Sequence, residues 1–384
     1  MAVQKITIEQ FLELAKLHPV LDVRSPGEFL HAHIPGAVSF PLFTDEERKV
    51  VGTAYKQQSR EIAIKIGLEY FGVKMRRMVE EAEQLFNAKP RKESMSKDVI
   101  WEQDLPHPTR HTVLVHCWRG GMRSAGVAWL LDLYGFKVYT LAGGYKIYRK
   151  WVREQFDKNF PFNIIGGYTG SGKTLVLQEL KRMGKAVIDL ERLANHKGSA
   201  FGALGEQPQP TQEMFENLLA HELFEANNKL LNNVISTIEE PIDQVNDFIY
   251  IEDESQRIGL LNIPAALWSQ MRNSPISFFD IPFEERLNYI TEAYGKFNKE
   301  KLVNAVIRIQ KRLGGLETKN AINLLLENNH KECFRILLLY YDKWYNKGLH
   351  NRERLPEMLH KISCYSVDIK AMTHTLINEK TPAQ

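Results

Sequence analysis

One cysteine, Cys117, lies in the segment His116-Cys117-Trp118-Arg119-Gly120-Gly121-Met122-Arg123-Ser124. A thiol becomes a nucleophile when its thiolate is favoured, and that needs positive potential nearby. Arg119 and Arg123 supply charge, and Gly120 and Gly121 can turn their backbone N–H groups inward without a steric penalty. Amides at a helix start would stabilise an anion at the same place. The competing reading is a buried core thiol, but a core thiol has no use for two arginines and two glycines beside it. Further along, Gly166-Gly167-Tyr168-Thr169-Gly170-Ser171-Gly172-Lys173-Thr174 contains the phosphate-loop pattern G-x-x-x-x-G-K-[ST] at Gly167, Gly172, Lys173 and Thr174. The amides of Gly170, Ser171 and Gly172 can wrap phosphate oxygens, Lys173 adds a point charge, and Thr174 can hold a metal ion. Such amides read phosphate and not base, so ATP, a diphosphate or a phosphorylated leaving group all fit. One loop offers a nucleophile and the other grips a phosphate, and few enzymes need both on one chain.

Positioning these loops requires strands that end in them. Thr112 to His116 reads as a strand running into Cys117, and Ser124 to Tyr134 as the helix after it, with Gly135 as its C-terminal stop. Asn163 to Gly166 reads as the strand before the phosphate loop, and Leu175 onward as a helix. Further strands are read at Val20–Arg24, Lys137–Leu141, Ala186–Asp189, Phe248–Ile251 and Ile276–Phe279. Strands alternating with helices predict parallel α/β sheets. The segments Arg48–Ile66 and Met75–Phe86 carry apolar residues at helical spacing, Ala88–Arg110 reads as a connecting loop, and the chain from Phe283 onward reads as helical.

The chain has 384 residues, 43% of them hydrophobic and 25% charged, enough for two or three ordinary cores. A net charge of +3 implies that any nucleic-acid partner is held by a local basic patch and not by global charge. Cys117, Cys333 and Cys364 form no CxxC pair, which disfavours a zinc site or disulfide framework and fits a reducing compartment. With no signal-peptide core and no apolar run of membrane-spanning length, the expectation is a cytoplasmic protein without a membrane partner.

Carboxylates at predicted strand ends, Asp189 with Glu191, and Glu252-Asp253-Glu254, stand where a nucleotide enzyme keeps magnesium, and they are equally ordinary solvated caps. Arg257 follows closely and could meet a phosphate or form a surface salt bridge. Lys74–Arg77, Arg149–Arg153 and Arg308–Arg312 are basic clusters, and Tyr340-Tyr341-Asp342-Lys343-Trp344-Tyr345 interleaves aromatics with a cation. Such groups can neutralise phosphates and stack unpaired bases. Taken one at a time, each is read first as a solvated helix face with core aromatics behind it.

Leu21-Asp22-Val23-Arg24-Ser25-Pro26-Gly27-Glu28-Phe29, His33-Ile34-Pro35-Gly36-Ala37, the Cys117 loop and Leu141-Ala142-Gly143-Gly144-Tyr145 resemble, in order, the landmarks of rhodanese domains. In that family the matching cysteine carries a transferable chalcogen. The common rhodanese loop places its arginine five positions after the cysteine, whereas Arg123 lies six after Cys117. That C-x₅-R spacing also resembles phosphatase loops, and a wider loop equally suits a bulky donor such as selenophosphate.

A rhodanese domain followed by a phosphate-loop domain resembles the bacterial tRNA 2-selenouridine synthases over nearly the whole chain. Asn195-His196-Lys197-Gly198-Ser199-Ala200-Phe201-Gly202 and Ile251-Glu252-Asp253-Glu254-Ser255 are further matching blocks. The resemblance implies an α/β fold: an N-terminal rhodanese-like parallel-sheet domain over 1–150 with a helical insertion at about 44–110, a P-loop α/β domain over 151–282, and a helical C-terminal extension over 283–384. It also implies conversion of wobble 2-thiouridine in lysine, glutamate and glutamine tRNAs to 2-selenouridine, by S-geranylation from geranyl diphosphate and then selenium transfer from selenophosphate. No permanent cofactor is expected, Mg²⁺ could accompany the phosphate loop, and an enzyme supplying selenophosphate is a candidate partner. Cys117, Arg119 and Arg123 would then handle selenium, and Gly167 with Gly170 to Thr174 the diphosphate. Rival expectations are an ATP-dependent tRNA sulfurtransferase, a phosphatase-like enzyme, and a non-catalytic rhodanese adaptor.

Overall fold

The computed structural model describes residues 3–87, 111–236 and 248–378. It divides into two compact units, Met1–Arg153 and Glu154–Gln384. The expected connecting loop Ala88–Arg110 lies outside the described residues.

In the first unit, strands β1 (Gln4–Ile6), β2 (Val20–Asp22), β3 (Val38–Ser39), β4 (Thr112–His116) and β5 (Lys137–Leu141) form one parallel sheet in the order β1-β5-β4-β2-β3. Its helices are α1 (Ile8–Ala15), α2 (Pro26–His31), α3 (Asp45–Gln57), α4 (Arg60–Gly72), α5 (Met75–Asn87), α6 (Met122–Tyr134) and α7 (Gly144–Phe156), the last running on past Arg153. Val113, Leu114 and Val115 of β4 are all fully buried, as expected of a parallel strand covered on both faces. Helices start where the sequence supplies caps: Thr44 accepts from the Glu47 amide at 3.2 Å while Glu47 accepts from the Thr44 amide at 2.9 Å. Phe71 of α4 and Met78, Val79 and Ala82 of α5 share one core with Leu21, Val115 and Val127, so the helical insertion is packed into this unit's core. The register pairs Asp22 with His116, which brings the turn after β2 beside Cys117.

The second unit holds β6 (Phe162–Gly167), β7 (Ala186–Ile188), β8 (Ile249–Glu252), a small hairpin of β9 (Arg257–Ile258) and β10 (Leu261–Asn262), β11 (Ile276–Asp280) and β12 (Leu359–Ser363). Its main sheet is parallel, in the order β12-β11-β6-β8-β7. The helices are α8 (Lys173–Arg182), α9 (Leu190–Ala194), α10 (Gln212–Ser236), α11 (Ala265–Arg272) and α12 (Phe283–Tyr294). After them come α13 (Lys299–Arg308), α14 (Gln310–Leu313), α15 (Gly315–Leu326), α16 (His330–His350), α17 (Leu355–Met358) and α18 (Ile369–Asn378).

The region after Phe283 is mostly helical, as expected, with one correction. Its strand β12 pairs with β11 at the sheet edge, and α18 packs Met372 and Leu376 into the core beneath the phosphate-loop helix. The strand escapes a pattern-based reading because only Ile362 of its five residues is buried, and an edge strand needs no continuous apolar run. The stretch 283–384 therefore supplies part of the second unit's own sheet and is not purely helical. Among the described residues, no helix is long and apolar enough to cross a membrane.

Candidate active site

Cys117 follows directly on β4, and its loop is held from below by the turn after β5. The Tyr145 amide donates to the Cys117 carbonyl at 2.8 Å and the Lys146 amide to the Trp118 carbonyl at 3.0 Å. Gly144 sits at φ +60°, and a Cβ there would overlap the Cys117 carbonyl oxygen and the Gly120 amide. Gly144→Ala is therefore expected to destabilise the first unit by about 2 kcal/mol or more, read as a lowered unfolding midpoint. An unchanged midpoint would mean the loop has slack that this packing does not show.

The Cys117 thiol is almost wholly buried, with Sγ 3.2 Å from the Ser124 hydroxyl, which also lies 3.0 Å from the Gly121 carbonyl. Burial alone would raise its pKa. Hydrogen bonds from the Ser124 hydroxyl and from the Ser124 and Arg119 amides, with the Arg123 charge, outweigh burial and hold the thiol below its ordinary value. Ser124→Ala is expected to move the thiol pKa upward, seen as an upward shift in the pH profile of Cys117 alkylation. No shift would leave the amides and Arg123 as the whole cause.

The two arginines have different situations. Arg119 is exposed and contributes its amide to the sulfur. Arg123 extends to Glu28, Nη1 to Oε2 2.9 Å, and Glu28 is paired with Arg48 as well. Arg123 thus lends charge to the thiolate while one of its donors is held by Glu28. Beneath the loop, buried Arg24 forks onto Asp22, Nη2 to Oδ2 2.6 Å, and lies 3.8 Å over the Tyr145 ring.

His116 beside them is fully buried. Burial pushes its pKa down to about 4, with Arg24 adding to the effect and Asp22 opposing it. A histidine kept neutral in the fold stabilises it fully above its ordinary 6.5, and the contribution is lost as pH falls from there toward 4. Lowering the pH from 8 to 5 should therefore remove about 2 kcal/mol of stability. That loss should shrink in His116→Gln; an identical acid profile in the variant would assign the effect to other groups.

In the second unit, β6 ends in the phosphate loop and α8 begins at Lys173. Gly170, at φ +83°, packs so tightly that a Cβ would lie 3.0 Å from the Arg286 carbonyl and 2.8 Å from Ile290. Lys173 Nζ donates to the Gly167 carbonyl at 2.6 Å, and the Thr174 hydroxyl donates to Glu191 at 2.8 Å.

The carboxylates divide by task. Asp189 caps α9, accepting from the Arg192 amide at 2.8 Å, and Glu252 accepts from the Glu191 amide at 2.7 Å. Asp253 accepts from the Tyr345 hydroxyl at 2.7 Å and from buried Arg352 at 2.6 Å. Glu191, which accepts from Thr174, has Glu254 as its buried neighbour, and burial followed by the Glu191 charge pushes Glu254 up to about 8. Arg257 does not reach the loop: it is exposed and donates to the Gly259 carbonyl within its hairpin at 2.9 Å.

Two further side chains hold this loop: Tyr345, noted in the sequence only as part of an aromatic cluster, and Arg286, which was not singled out. Tyr345 accepts from the Gly167 amide at 3.1 Å, its own proton held by burial and by Asp253 well above the usual tyrosine range. Arg286, almost wholly buried, ties the Thr169 carbonyl (3.1 Å) to Asp342 (2.7 Å). Arg286 lies on α12 and Tyr345 on α16, both distant in sequence from the loop; no local signal marks Arg286, and the aromatic cluster at 340–345 marked Tyr345 without its tie to the phosphate loop. A cleft of about 940 Å³ opens over the loop, with Lys173, Thr174 and Glu254 at its floor and Trp268, Tyr340 and Trp344 along its side.

A buried thiolate loop on one parallel sheet and a phosphate loop on another define a rhodanese-like unit joined to a phosphate-loop unit. The rhodanese-like domain model matches residues 7–67, running into the helical insertion as far as α4, and the model of the tRNA 2-selenouridine synthase AAA domain matches residues 160–362. The chain is 31% identical over 361 residues to the tRNA 2-selenouridine synthase of Sulfurovum sp. (strain NBC37-1), covering 85% of this chain and 88% of that one. It is 31% identical over 401 residues to that of Bdellovibrio bacteriovorus, covering 92% and 94%, and 36% identical over 282 residues to that of Nitrosomonas europaea, covering 72% and 63%. The chain belongs to the tRNA 2-selenouridine synthase family.

Proposed function

We propose that this chain converts wobble 2-thiouridine in lysine, glutamate and glutamine tRNAs to 2-selenouridine in two steps, one for each loop. In the first, the thiocarbonyl sulfur attacks C1 of geranyl diphosphate. A C–S bond forms, the C–O bond to diphosphate breaks, and the base loses its N3 proton. The amides of Gly170, Ser171 and Gly172 with Lys173 would stabilise the charge gathering on the departing diphosphate. Magnesium keeps most of its waters and needs only one or two protein oxygens beside those of phosphate. Thr174 and Glu191, already in hydrogen-bond contact, fit that demand, although no three metal-ligating groups converge among the described residues. When bound, the ion would add charge neutralisation at the diphosphate.

In the second step, selenium attacks C2 of the alkylated base. A C–Se bond forms, the C–S bond breaks, and geranylthiol leaves with a proton. Selenophosphate supplies the selenium, and hydrolysis of its Se–P bond releases phosphate. Cys117 would position this selenium anion without bonding to it, with Arg119 and Arg123 supporting the charge. Alkylation makes chemical sense as a first step because it turns a poor sulfur leaving group into a good one.

The observation that carries this reading is the presence of a thiolate-stabilising loop and a phosphate loop on one chain of this family. Nucleoside mass spectrometry tests it, on thiolated lysine tRNA incubated with the protein, geranyl diphosphate and selenophosphate without ATP. Geranylated 2-thiouridine followed by 2-selenouridine is expected. Activity only with ATP and a sulfur donor would move the protein to ATP-dependent sulfurtransfer.

A further inference from the structure

We propose that the open face of α16, carried by Tyr340 and Trp344, is the platform on which the unpaired target base of the RNA stacks within the phosphate-loop cleft. The proposal deepens the two-step reading above and rests on it for the identity of the base. Helix α16 presents two different aromatic faces to one cleft. Its inner face is committed to the fold: the Tyr345 hydroxyl is latched between the Gly167 amide and Asp253, and its ring lies 5.6 Å from Lys173 Nζ. Its outer face is more open. Tyr340 and Trp344, one helical turn apart, sit edge to face with ring centroids 6.4 Å apart, and Trp344 is 43% exposed. A tryptophan held that far open, beside a phosphate loop, presents a large flat surface that the core does not use.

Charge says what kind of flat partner fits. Lys347 Nζ lies 5.3 Å from the Trp344 ring, and Arg312 lines the same cleft and is hydrogen-bonded to Tyr340. Lys347 lies over one side of the Trp344 ring, and an aromatic ring with cations close by is the combination that stacks single-stranded bases while neutralising the flanking phosphates, the ammonium moving to a phosphate as the base arrives. An isoprenoid chain, by contrast, has no charge to meet those cations and is better served by the enclosed wall around Ile290, which is 6% exposed. At about 940 Å³ the cleft is at the top of the range for a single small ligand, leaving space for a base beside a prenyl diphosphate. A base stacked on Trp344 would share the cleft with whatever Lys173 and Thr174 hold, as alkylation of its sulfur requires.

Equilibrium binding of a fluorescently labelled, 2-thiouridine-containing lysine anticodon stem-loop to the full chain tests this without relying on turnover. Trp344→Ala is expected to weaken binding about 10-fold and Trp344→Phe much less, because a phenyl ring still stacks. Lys347→Ala should reduce the slope of log affinity against log salt by about one. Trp344 is a surface residue, so the variants should keep the unfolding midpoint of the parent, and that midpoint is checked first. Geranyl diphosphate and ATP affinities are measured on the same variants. If Trp344→Ala leaves the stem-loop affinity within about twofold, or weakens geranyl diphosphate or ATP instead, the wall serves the phosphorylated ligand and the proposal is wrong. Binding of the stem-loop that depends on Trp344 in a protein that makes no geranylated nucleoside would support the platform and sink the two-step chemistry.

Discussion

Cys117→Ser is expected to stop formation of 2-selenouridine, lowering its rate by roughly 10³-fold or more, while geranylated 2-thiouridine still accumulates. The serine hydroxyl is nearly isosteric, so the loop should keep its amide contacts to Tyr145 and Lys146. What is lost is a sulfur whose anion is favoured, because the Ser124 hydroxyl, two amides and Arg123 hold the Cys117 thiol below its ordinary value, and an alcohol has no comparable anion to stabilise. Geranylation should survive because the phosphate loop lies on a separate sheet in the other compact unit. The measurement is a time course of both nucleosides by mass spectrometry. Loss of both products together would end the division of labour between the two loops, and normal selenation would remove Cys117 from the chemistry altogether.

Lys173→Ala should have the reverse signature: geranyl transfer falls about 10²-fold to 10³-fold, and selenation of tRNA supplied already geranylated is retained. The lysine rests on the Gly167 carbonyl at 2.6 Å and over the Tyr345 ring, at the floor of the cleft. There its charge would meet a departing diphosphate. Arginine is not a safe substitute, since its planar fork does not match a point charge in a loop packed this closely. Geranyl transfer within a few-fold of the parent would remove Lys173 from that role. Loss of selenation from pre-geranylated tRNA would instead place selenophosphate in the phosphate loop.

Much of the two loops was legible because each is local. The strand into Cys117, the glycines after it and the helix from Met122 are contiguous, and so are β6, the phosphate loop and α8. A short stretch of chain fixes its own amide directions through glycine conformations and helix starts, so motif and geometry coincide. The Gly143-Gly144-Tyr145 landmark is a partial exception. It was visible as a pattern, but its purpose, clamping the Cys117 and Trp118 carbonyls, needed β5 to be placed beside β4.

The assignment of individual charged groups was not legible. Asp189, Glu252, Asp253 and Glu254 look interchangeable as strand-end carboxylates, yet one caps a helix, one braces the Glu191 amide, one anchors Tyr345 and Arg352, and one shares burial with Glu191 near Thr174. Arg257, which could have met a phosphate or formed a surface salt bridge, donates to the Gly259 carbonyl of its own hairpin. Such roles depend on partners many residues away, and a carboxylate's chemistry follows its burial and neighbours more than its position in a motif.

From sequence alone came the two parallel-sheet units, the nucleophile and the phosphate loop, because hydrophobic alternation, glycine placement and residue chemistry act over a few residues. The tertiary structure decided the rest: that the end of the chain returns as β12 to complete the second sheet, that Tyr345 of α16 is bonded to the phosphate loop, and that Tyr340 and Trp344 face its cleft. Those contacts join segments with no periodicity in common, and only packing of the whole second unit brings them within hydrogen-bond or van der Waals distance.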